Sequence, residues 1–269
     1  MQYNTSGHPD QSVIMENPEE FNTAILEYYD EFFPLATGEA EFFLRLRDEF
    51  RDSSPIQPAP ICRFLGISCA TGSLENRLAT SALDVTGIDQ NPNMVETAKR
   101  RMKRGYSGVR FFEMPVIDIG RFLKKGSFNI AACLGNFLCF IQDETLLKKF
   151  LYDAKQLLAP GGCLVLETWN YDGMKAGSRV SLPKLGSVRV TMERALVPRE
   201  EGMYGLEVSV ELGNGRRIEL RKGTRVNPLK ASRIEALARD AGFTGCSLYG
   251  DFSGSPWSPE SRSTVLVLR

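Results

Sequence analysis

The chain has 269 residues, 33 acidic and 33 basic side chains and one histidine, a length that allows one large domain or a domain carrying an inserted lobe. Zero net charge gives no support to nucleic acid or an anionic membrane as the main partner, and no apolar run is long enough to span a bilayer. Its six cysteines show no Cys-x-x-Cys spacing, so reduced, buried thiols in a cytoplasmic protein are expected, and a metal centre is not.

Residues 1–15 are polar, contain His8 and lack the charged-then-apolar pattern of a leader; a mobile terminus is expected there. Asn17-Pro18-Glu19-Glu20 reads as a helix start, with a capping side chain, proline at the first position and acids in the first turn. Phe21, Ile25, Tyr28, Tyr29, Phe32 and Phe33 continue it at helical spacing as far as Pro34. A second helix is expected over 38–50, followed by a proline-rich linker to Pro60.

The stretch 61–89 is the centre of the chain's organisation. An apolar run over 61–67 ends in a loop of small residues, and the loop opens into an amphipathic segment with Leu74 and Leu78 on one side. A second apolar run then ends in the lone acid Asp89. Strand, small-residue loop, helix, strand and acid form the opening half of a nucleotide-binding α/β unit, in which the acid suits a ribose diol. Small residues fall at Ser68, Ala70 and Gly72, and a dinucleotide fingerprint would want its third glycine where Ser73 stands, which disfavours a nicotinamide oxidoreductase.

Asn91-Pro92 starts a basic helix with Val95, Ala98 and Met102 inward. Lys99, Arg100, Arg101, Lys103 and Arg104 read as its solvated face, a nucleic-acid patch being the sharper alternative. A third strand is expected over 109–113 and a fourth over 127–134. Asp143 then caps a long helix, Pro160-Gly161-Gly162 turns the chain, and a fifth strand covers 163–168. Beyond it, β-rich stretches at 188–192, 206–211 and 217–220 surround a Gly213-Asn214-Gly215 hairpin turn. A helix over 229–241 closed by Gly242, and strands over 246–251 and 263–268, end the chain. The expected fold is α/β: a doubly wound, mainly parallel, Rossmann-like sheet of seven strands with a small antiparallel β lobe inserted after strand five.

The stretch 61–89 resembles motifs I and II of class I S-adenosylmethionine-dependent methyltransferases. That class carries an acid, an apolar residue and three alternating glycines; this chain has Gly66 for the acid, Ser68 and Ala70 for two glycines, and Gly72 for the third. Serine and alanine add little bulk but would be strained at positive φ. The glycine at 66 removes a partner for the methionine ammonium group. Leu134-Gly135-Asn136, Pro160-Gly161-Gly162 and Asn170-Tyr171-Asp172 resemble motifs IV to VI of the small-molecule members, especially the glycine and sarcosine N-methyltransferase-like group.

The resemblance implies S-adenosylmethionine as cofactor and a small-molecule amine or hydroxyl as acceptor. It implies no nucleic-acid partner and leaves the oligomeric state open. It implies cofactor contacts at Tyr29, Gly66, Ser68, Ala70, Gly72, Asp89, Gln90, Met94, Val116, Ile117, Leu134 and Gly135. Asp89 would hold the ribose hydroxyls. Pro115 stands where the class has an adenine-binding Asp or Asn, leaving the backbone of Val116 and Ile117, and Met94, for the adenine; Asp118 is an alternative. Asn136, Tyr171 and Asp172 are the expected catalytic residues, with Asn136, Trp169 and Tyr171 facing the acceptor. Asn136 reads equally as a turn residue, and Trp169 equally as core filling. Where the glycine-methylating relatives have an arginine for the substrate carboxylate, this chain has Trp169, which suits a cationic amine or a planar ring. The expected organisation is a helical cap and linker over 1–60, a cofactor-binding core over 61–172, the lobe over 173–228 and completion of the core over 229–269. A silent module that kept the fold is the competing reading, motivated by Gly66, Ser68, Ala70 and Pro115.

Overall fold

The computed structural model describes residues 18–56, 58–79, 83–102 and 108–269. His8 with the expected mobile terminus, the cap Asn17, and Lys103 and Arg104 lie outside these residues. The described chain forms two compact units. The larger comprises Phe33–Lys175 and Asn227–Arg269, and the smaller combines the first helix with Ala176–Val226. Of the described residues before β1, 18–32 fall in the smaller unit and those from Phe33 in the larger.

The larger unit is built on seven strands: β1 (Arg63–Ile67), β2 (Asp84–Asp89), β3 (Val109–Glu113), β4 (Phe128–Cys133), β5 (Leu158–Trp169), β10 (Cys246–Tyr249) and β11 (Ser263–Leu268). Their order across the sheet is β10-β11-β5-β4-β1-β2-β3. The pairs among β1 to β5 are parallel, and β11 runs antiparallel to both β5 and β10. A doubly wound, mainly parallel sheet is thus present as expected. Side-chain alternation divides its core in two. Leu65, Ile67, Ala131, Cys133, Leu164 and Leu166 point to one cluster with α5 (Ile119–Phe122), α6 (Glu144–Leu157) and α7 (Ala231–Asp240). Phe64, Ile130, Ala132, Cys163 and Val165 point to the other, with α2 (Glu39–Asp52), α3 (Ser73–Ala79) and α4 (Pro92–Arg100). Both faces are covered, which is why the central strands read as continuous apolar runs.

The helix ends follow local chemistry. Asn91 accepts from the Asn93 N–H at 2.9 Å with Pro92 in the first helical position. Asp143 Oδ1 accepts from Thr145 and Leu146 N–H at 2.6 and 3.1 Å. Gly242, at φ 96°, closes α7: its N–H donates to Arg239 O, and Phe243 N–H donates to Ala238 O. One expectation changes. Pro160-Gly161-Gly162 is not a turn ahead of β5 but part of it. The register with β4 shifts between Phe128 and Ile130, so the extra residues bulge out of the ladder.

The smaller unit holds α1 (Pro18–Phe32) and a four-stranded antiparallel sheet of β6 (Val180–Gly186), β7 (Val190–Pro198), β8 (Tyr204–Leu212) and β9 (Arg217–Val226), in that order. Three of these strands overlap the expected ones, and the β8–β9 hairpin turns at the Gly-Asn-Gly stretch. β6 was not expected. Pro183 and Lys184 break its alternation, and proline is tolerated because β6 is an edge strand. Within this unit Arg189 pairs with Glu31 at 2.7 Å and lies over the Tyr28 ring at 5.5 Å.

Candidate functional site

The loop from β1 to α3 is a tight turn. Cys69 N–H donates to Ile88 O and Gly72 N–H to Cys69 O, both at 2.9 Å. Its three small residues all adopt the left-handed conformation: Ser68 at φ 58°, Ala70 at 48° and Gly72 at 66°. The backbone thus keeps a shape made for glycine while two positions carry a Cβ, at a cost of roughly 1–2 kcal/mol each. Ser68→Gly and Ala70→Gly are each expected to raise stability by about 0.5–1 kcal/mol, the strain relief exceeding glycine's entropic penalty. Urea unfolding checks this, and a fall in stability for both variants would show that the turn is not strained. Gly72 has a second constraint: a Cβ there would sit 2.7 Å from Ala98 Cβ and from the Phe111 ring. This glycine admits α4 and β3 against the turn.

Asp89 ends β2 and is 6% exposed. Its Oδ2 accepts from Ala70 N–H at 2.8 Å and its Oδ1 from Asn91 N–H at 2.9 Å, so it ties the two strand-end loops together. Burial pushes its pKa up, and the N–H groups of Asn91, Ala70 and Gln90 oppose the shift. With three backbone N–H groups on it, the carboxylate keeps acceptor capacity for a donor such as a diol. Gln90 is exposed beside it, and Met94 is buried on α4. Val116 is 2% exposed and belongs to the core. Ile117 is half-buried, and its carbonyl accepts from Lys149 Nζ at 2.7 Å.

Behind the turn lies Glu75, a residue outside the motif positions. A Cβ at Gly66 would be 1.9 Å from Glu75 Oε1 and 2.8 Å from Glu75 Cδ. The carboxyl of Glu75, reaching back from α3, fills the volume where a side chain at 66 would begin. Glu75 is 3% exposed, and burial pushes its pKa up to about 8. Burial likewise pushes Glu39, at the start of α2, up to about 7. One signal for Glu75 was present in the sequence: it follows Leu74 directly and precedes Leu78 by three, which places an acid at the edge of the apolar face of α3.

At the ends of β4 and β5, Gly135 and Asn136 are consecutive left-handed residues at φ 68° and 67°. A Cβ on Gly135 would meet nothing within 4 Å, so this backbone borders open space. Glu167 accepts from Gly135 N–H at 2.9 Å. Asn136, 9% exposed, accepts the Trp169 N–H on Oδ1 and donates its own N–H to Glu167 O at 3.2 Å, which leaves Nδ2 as the group able to reach a ligand. Leu134 is half-buried against the core. Trp169 is half-buried and meets Tyr171 edge to face, with ring centroids 6.3 Å apart. Tyr171 is 2% exposed, and its hydroxyl is buried with it. Asp172 Oδ2 accepts from Ala231 N–H at 2.9 Å, so it caps α7. The fold therefore gathers Gly66, Ser68, Ala70, Gly72, Asp89, Gly135, Asn136 and Trp169 at the carboxyl ends of adjacent parallel strands and their loops. Tyr29 is half-buried on α1 of the smaller unit.

A family model described as a methyltransferase domain matches residues 64–162. A glycine/sarcosine N-methyltransferase of Parasynechococcus marenigrum is 25% identical over 230 residues, covering 84% of this chain and 75% of that protein. Residues 64–162 are a methyltransferase domain, and the activity the chain carries is S-adenosylmethionine-dependent methyl transfer. In fold, this methyltransferase superposes on the CcbJ methyltransferase of Streptomyces caelestis with a TM-score of 0.73 at 18% identity, covering 91% of this chain and 95% of that one. It superposes on CalS10, an amino pentose methyltransferase of Micromonospora echinaspora solved with its cofactor, with a TM-score of 0.62 at 20% identity, covering 87% and 92%.

The residues present in this methyltransferase fit S-adenosylmethionine. A buried carboxylate ends β2, a carboxyl fills the space behind the glycine-like turn, and open space borders Gly135. Once bound, the cofactor supplies a methyl already activated by its sulfonium. Among the described residues no group of three or more His, Cys, Asp or Glu could hold a metal ion, and no helix is long and apolar enough to cross a membrane.

Proposed function

We propose that this methyltransferase alkylates an amine nitrogen of a small-molecule acceptor by in-line displacement. The observation that carries the reading is the aromatic corner at the end of β5, where Trp169 meets Tyr171 edge to face in place of the arginine of glycine-methylating relatives. A neutral amine nitrogen gains positive charge as it takes the methyl, and an indole face attracts that developing cation while offering nothing to a carboxylate. Asn136 supports orientation of the acceptor: with Oδ1 held by Trp169 N–H, its amide is fixed and Nδ2 is aimed by the backbone. The engagement of Asp172 by Ala231 N–H supports nitrogen over a hydroxyl, which would need a base to take its proton. An amine that arrives neutral brings its lone pair ready, so alignment and exclusion of water are the main tasks. Two of the similar proteins are named for nitrogen or amino-sugar methylation, in keeping with this reading.

The test is a panel of amines, amino sugars, amino acids and hydroxylated rings, read by release of S-adenosylhomocysteine. Turnover is expected with amines and not with the hydroxyl compounds. Trp169→Ala is expected to lower kcat/KM for amines about tenfold or more, the loss of a desolvated cation–π contact of about 2 kcal/mol. Trp169→Arg is expected to favour carboxylate-bearing amines. Unchanged acceptor use in both variants would remove Trp169 from the site.

A further inference from the structure

We infer that Glu75 supplies, from α3, the carboxylate that methyltransferases of this class carry at the position of Gly66, and that it binds the ammonium group of the cofactor's amino-acid tail. The two positions are sterically exclusive. A Cβ at 66 would lie 1.9 Å from Glu75 Oε1, so the acid can occupy this space only because residue 66 has no side chain. Gly66 is therefore a vacated site that a carboxyl from the next element fills. Gly66 also lies in the strand whose end carries the Ser68–Gly72 turn, the part of the molecule that the class uses for the methionine portion.

Glu75 is an expensive residue to bury without a counter-charge. It is 3% exposed, and the partner identified for its carboxyl is its own backbone N–H. The titratable groups facing it are Glu39 from α2, Asp89 from β2 and Cys69 from the turn, all of which are acids or a thiol. They disfavour its ionisation, as burial does, and its pKa rises to about 8. An arriving ammonium reverses this balance. It favours the charged carboxylate, so cofactor binding drives a proton off Glu75, and affinity rises with pH from the neutral range towards 8.

The inference rests on S-adenosylmethionine as the cofactor and is independent of the acceptor's identity. It is tested by calorimetry with two ligands, S-adenosylhomocysteine and 5′-methylthioadenosine; the second keeps the adenosine and the sulfur but lacks the amino-acid tail. Glu75→Gln preserves shape and removes a buried acid, so the variant is expected to fold, and binding of methylthioadenosine confirms that it has. The expected result is at least tenfold weaker binding of S-adenosylhomocysteine to Glu75→Gln with methylthioadenosine affinity within twofold of wild type. Titrations at pH 7 in buffers of differing ionisation enthalpy are expected to show proton release with wild type and none with the variant. The double variant Gly66→Asp, Glu75→Ala, which restores the arrangement of the class, is expected to recover affinity for S-adenosylhomocysteine. Equal loss for both ligands, or no loss for either, overturns the role of Glu75. A wild-type protein that binds methylthioadenosine as tightly as S-adenosylhomocysteine also overturns it. Wild type that binds neither ligand overturns the cofactor assignment and this inference with it.

Discussion

Alanine in place of Gly72 is expected to destabilise the protein by about 3 kcal/mol, the sum of a left-handed backbone penalty and overpacking of the core. The added methyl would meet Ala98 Cβ and the Phe111 ring at 2.7 Å, and Gly72 sits at φ 66°. Gly135→Ala is the matched control. It has nearly the same φ, 68°, but its Cβ would point into space empty to 4 Å. That variant is expected to lose only the backbone penalty of about 1–2 kcal/mol. Urea unfolding of the two variants side by side separates strain from crowding. Equal losses would mean that α4 and β3 yield to admit the methyl, and that packing does not dictate the third glycine.

Asp89→Ala is expected to weaken S-adenosylhomocysteine roughly 100-fold. Two hydrogen bonds from a ribose diol to a buried carboxylate are together worth about 3 kcal/mol. Methylthioadenosine carries the same ribose and is expected to lose as much, which distinguishes this variant from Glu75→Gln. Asp89 also accepts from Ala70 and Asn91 N–H, so some loss of thermal stability accompanies the change. Full retention of affinity in a folded Asp89→Ala protein would place the ribose elsewhere.

Much of the architecture was legible because it is written in periodicity. The continuous apolar runs of β1, β4, β5 and β11, the caps at Asn91 and Asp143, and the glycine stop at Gly242 are local signals, and each produced the element it announced. The edge strand β6 was missed because its pairing with β7 tolerates a proline and a register shift, and neither leaves a period to read. The placement of Pro160–Gly162 inside β5 was missed for a related reason: the residues that make a turn also make a bulge, and only the neighbouring strand distinguishes the two.

Along the sequence, Gly66 is a lost acid and Ser68 and Ala70 are imperfect glycines, and one dimension holds no more than that. The amino-acid sequence by itself determined a doubly wound sheet, a lone acid after its second strand and a small-residue turn after its first. Tertiary packing decided what those residues do. It showed that Ser68 and Ala70 hold the glycine conformation under strain and that Asp172 accepts from Ala231 N–H. It also brought the Glu75 carboxyl into the space that Gly66 leaves. The physical reason is that periodicity and turn chemistry are properties of neighbours along the chain. Occupancy of a volume by a side chain from another element is settled only when helix and strand are packed together.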